Sequence, residues 1–150
     1  MRVLLQKVSE ASVAIENEIR SEIGNGVLIL LGIENEDNQE DIDWLCAKIA
    51  KLRIFPDTEG IMNLSLMDIK GEALVVSQFT LHASTKKGNR PSYIKAARPE
   101  VAIPLYEEFV SRLTQVLDKK IETGKFGADM KVSLINDGPV SIWIDSKSKE

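Results

Sequence analysis

The chain is poor in the side chains on which most hydrolases and metalloenzymes depend. It has one histidine, His82, and one cysteine, Cys46, in 150 residues. A usual zinc site draws three or four N, S or O ligands into a tight cluster, and this pair does not furnish one. A lone cysteine excludes an intrachain disulfide and suits a reducing compartment. No GxSxG elbow, Walker loop or GxGxxG is present. A Ser-His-Asp triad would have to use His82, five residues after Ser77 on the same strand exit, which is a constrained geometry. His82 is therefore expected to be an exposed or half-buried polar residue. The longest apolar run, residues 27–33, includes Gly32 and falls far short of the roughly 20 residues of a membrane span. Nothing looks like a targeting signal, so a cytoplasmic protein with no membrane partner is expected.

Acidic residues are missing from one stretch. The net charge is −4, yet residues 82–99 contain no Asp or Glu and five of the nineteen basic residues, Lys86, Lys87, Arg90, Lys95 and Arg98. Such a segment is either a solvated lysine-rich loop or a place where an acidic body meets phosphates.

What is present describes one globular domain, residues 1–150, with 43% apolar and 28% charged residues. Residues 2–33 read as strands, with a tight turn at "GNG", 24–26, whose glycines are available for positive φ. Ile42, Leu45, Ile49 and Leu52 recur at helical spacing behind an acidic start at residues 37–41, which complements a helix N-terminus. On that helix Cys46 and Trp44 are core and core-edge residues. "EALVVSQFTL", 72–81, reads as a strand running from apolar to polar. A second helix is expected over residues 99–119, with Leu105, Phe109, Leu113, Val116 and Leu117 buried and Pro104 early enough to be tolerated or to shift the start. "TGKFGADM", 123–130, is a glycine-punctuated loop before a closing strand pair. The expected class is α+β, a mainly antiparallel sheet or barrel with two main helices packed on it.

The closing strands contain a fault. "INDGPVSIWID", 135–145, places Gly138 and Pro139 inside a strand pattern, although proline has no N–H for a ladder and glycine no side chain to pack. A second polar segment, Ser77, Gln78 and Thr80 with Phe79 between, ends the buried strand. It can present hydroxyls and main-chain N–H groups to a ligand, or it can simply be a strand meeting water.

Together the two segments resemble a known pair. "SQFTL", 77–81, and "NDGPVS", 136–141, look like the two signature motifs of the D-aminoacyl-tRNA deacylase family in its bacterial and eukaryotic form. "MRVLLQKVSEASV", "GVLILLGI", "LRIF", "GNRPSY" and "TGKFGADM" resemble that family in the same order along the chain. The resemblance implies hydrolysis of the ester between a D-amino acid and the 3′-terminal adenosine of tRNA, and removal of glycine from mischarged tRNA. It implies a homodimer with no metal or organic cofactor, in which a cis Gly138-Pro139 peptide enters the partner's active site. Only about 5–6% of X-Pro bonds in folded proteins are cis, so the dipeptide alone favours trans.

Carried onto this chain, the resemblance makes Thr80, Gln78 and Ser77 the catalytic residues. Gly138, Pro139, Phe79, Phe126, Gly127 and Asn136 become substrate-binding residues, and Lys86, Lys87 and Arg90 contact tRNA phosphates. Thr80 has no evident base to activate it, so a role in orienting the ester or water, with help from the ribose 2′-hydroxyl, is favoured over nucleophilic attack. Ser141 stands where the family usually has threonine, which keeps the hydroxyl. Three other readings compete: a noncatalytic module binding the tRNA 3′ end, a hydrolase of unrelated esters or peptides using Thr80 or Ser77, and, least economical given two polar motifs at strand ends, a purely structural protein.

Overall fold

The structure is a computed structural model and describes residues 1–149. Its spine is β1 (Arg2–Ile15). One edge pairs antiparallel first with β3 (Gly26–Gly32) and then with β2 (Glu18–Ile23), while the other edge pairs with β8 (Lys131–Asp145). β6 (Glu72–Ser77) lies parallel to β3, and β7 (Glu122–Thr123) parallel to β6. The path β2-β1-β3-β6-β7 curls until its ends meet, and the Ser21 hydroxyl on β2 donates to the Thr123 carbonyl on β7 at 2.7 Å. This is a mixed sheet nearly closed into a barrel. β4 (Phe55–Pro56) and β5 (Met62–Leu64) form a separate ribbon.

Two helices pack on the sheet, as the apolar spacing requires. α1 (Gln39–Lys51) buries Ile42, Leu45, Cys46 and Ile49, and α2 (Pro99–Leu117) buries Ala102, Tyr106, Phe109 and Leu113. They join Met1, Val3, Leu5, Ile29, Leu31 and Val75 of the sheet in one core. Each fully buried Leu, Ile or Phe there contributes roughly 1.5–3 kcal/mol. α1 starts at a capping box: Asn38 accepts from the Glu40 amide at 2.9 Å, and Asp41 accepts from the Asn38 amide at 3.0 Å. α2 starts at Pro99 and carries Pro104 within it.

The strand β1 serves two cores. Met1, Val3 and Leu5 face the helices, while Val8, Ala11 and Val13 join Leu28, Leu74 and Val76 on the other side. A strand alternates faces, so this change of side requires an irregularity. It lies where the β1–β8 register shifts, between Gln6 and Val8 and between Val8 and Glu10.

That shift explains the Gly-Pro step. Val8 pairs with Asn136 and Gln6 with Ser141, so residues 137–140 of β8 face Lys7 alone and bulge out of the ladder. Proline's missing N–H is never called upon there. The expected closing strand pair is thus one bulged strand, and its Gly138-Pro139 peptide is cis.

Two local expectations are corrected. The glycines of the 24–26 turn do not have positive φ. Gly26 is needed instead for close approach, because a Cβ there would lie 1.9 Å from the Glu72 carbonyl oxygen. The strand expected over 72–81 stops at Ser77 and turns into a 3-10 helix, Phe79–His82. β3 ends at Gly32, so no neighbouring ladder remains to extend it.

Candidate active site

The turn after β6 gathers most of the expected catalytic residues. Ala73, Leu74, Val75 and Val76 are buried and hold the strand in place. The Gln78 amide then donates to the Leu31 carbonyl at 2.7 Å, the last link to β3. Leu81 N–H donates to the Gln78 carbonyl at 3.2 Å and Ala83 N–H to that of Thr80 at 3.0 Å, closing the turn. The amides of Phe79 and Thr80 precede the first of these bonds and stand at the open end of the turn. The Gln78 carboxamide donates to the Thr80 hydroxyl oxygen, which leaves the hydroxyl proton free to point outward.

Beside the turn lies a small cleft of about 70 Å³ lined by Ser77, Gln78, Phe79, Phe126 and Gly127, with Leu31, Ile33, Ala97 and Ala102 at its base. None of these lining side chains titrates. Gly127 has φ +77°, a conformation that favours glycine and turns the 123–130 loop toward the cleft. Phe126 meets the Tyr106 ring edge-on at 6.0 Å, and the Tyr106 hydroxyl donates to the Val75 carbonyl at 2.7 Å. Burial pushes the Tyr106 phenol up to about 12, so it remains a donor. Clefts of about 490 and 590 Å³ lie elsewhere on the molecule and contain no residue of residues 77–81.

His82 departs from expectation: it is 1% exposed, and neither ring nitrogen has a hydrogen-bond partner among the described residues. The ring packs beneath the turn against Gly32, with Nδ1 3.9 Å from a Glu34 carboxylate oxygen. Burial lowers its pKa below the ordinary 6.5, opposed by the nearby Gly32 backbone, which lies outside hydrogen-bond geometry, and by Glu34, and aided by the Arg2 charge. The folded state therefore takes up its proton less readily than the unfolded chain. The resulting stability is complete above about pH 6.5 and declines as the pH falls from there toward the folded value. The urea midpoint is expected to drop between about pH 7.5 and about pH 5.5, and His82→Leu to flatten that slope. A wild-type midpoint that stays level across this window would contradict the burial argument.

Arg2 ties the turn to β8, donating to the Leu81 carbonyl at 3.1 Å and to Asp145 at 2.9 Å. Burial would raise the Asp145 carboxyl, but hydrogen bonds from the Lys147 amide and Arg2 outweigh it and hold the pKa low. Cys46 is no nucleophile. Its thiol is buried against the Phe109 carbonyl and pushed up to about 12.

The remaining expected residues lie apart from the cleft. Gly138 and Pro139 are exposed on the β8 bulge and line none of it. Asn136 closes that bulge, accepting from the Val140 amide at 2.7 Å and donating to the Val140 carbonyl at 3.3 Å and to Ser141 at 3.0 Å. Lys7 faces the bulge and pairs with Asp137 at 3.4 Å. Lys86, Lys87 and Arg90 are exposed on a loop pinched by reciprocal Ser84–Ser92 backbone bonds of 2.8 and 3.0 Å. Sequence reasoning missed Arg2, Gly32 and Tyr106. Of these only Gly32 carried a signal, as a glycine closing a buried strand.

Comparison with known proteins settles the family. The family model described as D-Tyr-tRNA(Tyr) deacylase matches residues 4–145. The chain belongs to the D-Tyr-tRNA(Tyr) deacylase family. Two relatives named D-aminoacyl-tRNA deacylase, from Bacteroides thetaiotaomicron and Flavobacterium psychrophilum, are 64% and 66% identical over the whole of both chains. A solved structure titled c-Myc DNA Unwinding Element Binding Protein superposes with TM-score 0.91 at 40% identity, covering 97% of this chain and 98% of that one. A second, titled as a probable eukaryotic D-amino acid tRNA deacylase, has TM-score 0.81 at 17% identity over 95% and 97% of the two chains, a likeness of fold. The deacylase-family match contains both the 77–81 turn and the 136–141 bulge. No helix among the described residues is long and apolar enough to cross a membrane.

Proposed function

We propose that this chain hydrolyses D-aminoacyl-tRNA to free D-amino acid and tRNA. The observation that carries the reading, beside family membership, is the 77–80 strand exit. The Gln78 carboxamide meets the Thr80 hydroxyl there beside Phe79 and Phe126, with no general base lining the cleft among the described residues. Such a site suits an ester that is already reactive and needs holding more than attacking. The terminal adenine packs against Phe79 and Phe126, and the amides of Phe79 and Thr80 receive the carbonyl oxygen as it becomes an oxyanion. Water adds to the carbonyl carbon and the bond to the ribose 3′-oxygen breaks. One proton leaves the water and one reaches the 3′-oxygen, and the neighbouring 2′-hydroxyl relays it. Thr80 orients the ester.

Chirality is read by the Gly138-Pro139 segment of a second copy. Its main-chain carbonyls accept from the substrate α-ammonium, and backbone atoms cannot change rotamer to forgive a misfit. A D side chain then points to solvent, while an L side chain is driven into the glycine and proline atoms. Glycine has no side chain and passes the same filter. Support for a homodimer comes from the exposure of this segment away from its own cleft and from Leu134, Ile135 and Trp143, which are 36%, 54% and 50% exposed on the same strand. The exposed Lys86, Lys87 and Arg90 guide the acceptor-stem phosphates. A tRNA substrate is consistent with a cytoplasmic protein.

Paired hydrolysis of D-Tyr-tRNA and L-Tyr-tRNA in the presence of a chelator tests this. Release of D-tyrosine at least ~100-fold faster than L-tyrosine is expected, the scale of a rejection worth about 3 kcal/mol. Equal release of both makes the chain a general esterase and removes the filter. Tight tRNA binding with no release of either leaves a binding module.

A further inference from the structure

Next to the cleft stands an aromatic side chain with no part in the function above. Tyr93 meets Phe79 edge-to-face with ring centroids 5.1 Å apart and planes at 77°. Both rings remain open to solvent, Phe79 at 54% and Tyr93 at 40%, with Ile94 alongside at 86%. A soluble protein seldom leaves two large rings and an isoleucine together on its surface without use. Their setting is cationic. Tyr93 lies within the acid-free 82–99 segment, between Arg90 and Lys95. The segment is anchored at both ends, by the Ser84–Ser92 bonds and by the Ala97 amide donating to the Ile33 carbonyl at 2.9 Å, so the ring is held against Phe79.

We infer that Tyr93 is a second stacking platform, which takes the base of the nucleotide immediately 5′ to the terminal adenosine. The inference rests on the deacylase reading above and deepens it. Stacking on an aromatic ring tolerates any base, and nearby lysine and arginine side chains complement the phosphate between the two nucleotides. Geometry adds a consequence. The two rings are nearly perpendicular, so bases lying flat on Phe79 and on Tyr93 no longer stack on each other. The 3′ end is opened between its last two nucleotides, and the terminal adenosine packs alone against Phe79 at the mouth of the cleft.

Two substrates separate this role from general support of Phe79: D-Tyr-tRNA, and the D-tyrosyl ester of adenosine, which has no preceding nucleotide. Tyr93→Ala is expected to lower kcat/KM on D-Tyr-tRNA by about 10-fold, the scale of one lost base stack. On the adenosine ester it is expected to match wild type. Tyr93→Phe, which retains the ring, is expected to restore full activity on D-Tyr-tRNA. An equal fall on both substrates overturns the inference, because Tyr93 then acts only through Phe79 and the terminal adenosine. No fall on either also overturns it. A wild-type protein inactive on both substrates removes the deacylase reading itself, and this inference with it.

Discussion

Removing the 2′-hydroxyl from the terminal adenosine of D-Tyr-tRNA is expected to slow hydrolysis by about 100-fold or more, the scale of a positioned proton relay. Thr80→Ala is expected to slow it by only about 10-fold, the scale of one lost hydrogen bond. The contrast follows from what surrounds the Thr80 hydroxyl. Its oxygen accepts from the Gln78 carboxamide, and an amide is a donor there, not a base. The one histidine near the turn is sealed beneath it at 1% exposure, where burial already disfavours its protonated form. Among the described residues no titratable side chain lines the cleft. A nucleophilic threonine would require a base within about 3 Å, and proton transfer through substrate oxygen does not. Single-turnover rates on matched ribose and 2′-deoxyribose ends, for wild type and Thr80→Ala, decide the matter. Full speed on the deoxy substrate, together with abolition by Thr80→Ala at unchanged tRNA affinity, would make Thr80 the nucleophile.

Legibility in the sequence followed the range of the interactions. Both helices were readable because Ile42, Leu45 and Ile49, and likewise Phe109 and Leu113, repeat at the helical period and are all buried. The end of β6 was not readable, since Phe79 and Leu81 continue the apolar alternation. What stops the strand is the end of β3, some 45 residues earlier in the chain. The β8 bulge had the same character. Gly138 and Pro139 announced an irregularity, but its form depends on four residues facing Lys7 alone across a distant strand pair. His82 looked like a surface residue because nothing local marks burial, and it is Gly32 that lets the ring lie under the turn. For the candidate site, residue types were legible and grouping was not. Ser77, Gln78, Phe79, Phe126 and Gly127 converge in one chain, whereas the bulge stands apart from them.

The fold's grip on the site is tested at two glycines of β3 with very different expected outcomes. Alanine at Gly26 would place its Cβ 1.9 Å from the Glu72 carbonyl oxygen and 2.7 Å from the Glu72 backbone carbon and nitrogen. All three are main-chain atoms at the first rung of the β3–β6 ladder, which runs from Gly26 opposite Glu72 to Leu31 opposite Ser77. Nothing flexible is there to move, so Gly26→Ala is expected to lose more than about 4 kcal/mol and to fail to accumulate as folded protein. Gly24→Ala, two residues away, meets only the Glu72 carboxylate at 3.6 Å and is expected to fold as wild type. At the other end of the strand a Cβ on Gly32 would meet the Gln78 carbonyl oxygen and Leu81 Cβ at 3.0 Å and the His82 ring at 3.1 Å. Those neighbours can yield by a few tenths of an ångström, but they are the turn that presents Phe79 and Thr80. Gly32→Ala is therefore expected to fold, with a normal circular dichroism spectrum, and to lose about 10- to 100-fold in kcat/KM on D-Tyr-tRNA through misplacement alone. Full activity in folded Gly32→Ala would mean that the turn is not held against β3 tightly enough to set the reaction geometry. A folded Gly26→Ala would mean that β3 and β6 can part at their first rung without disturbing Ser77.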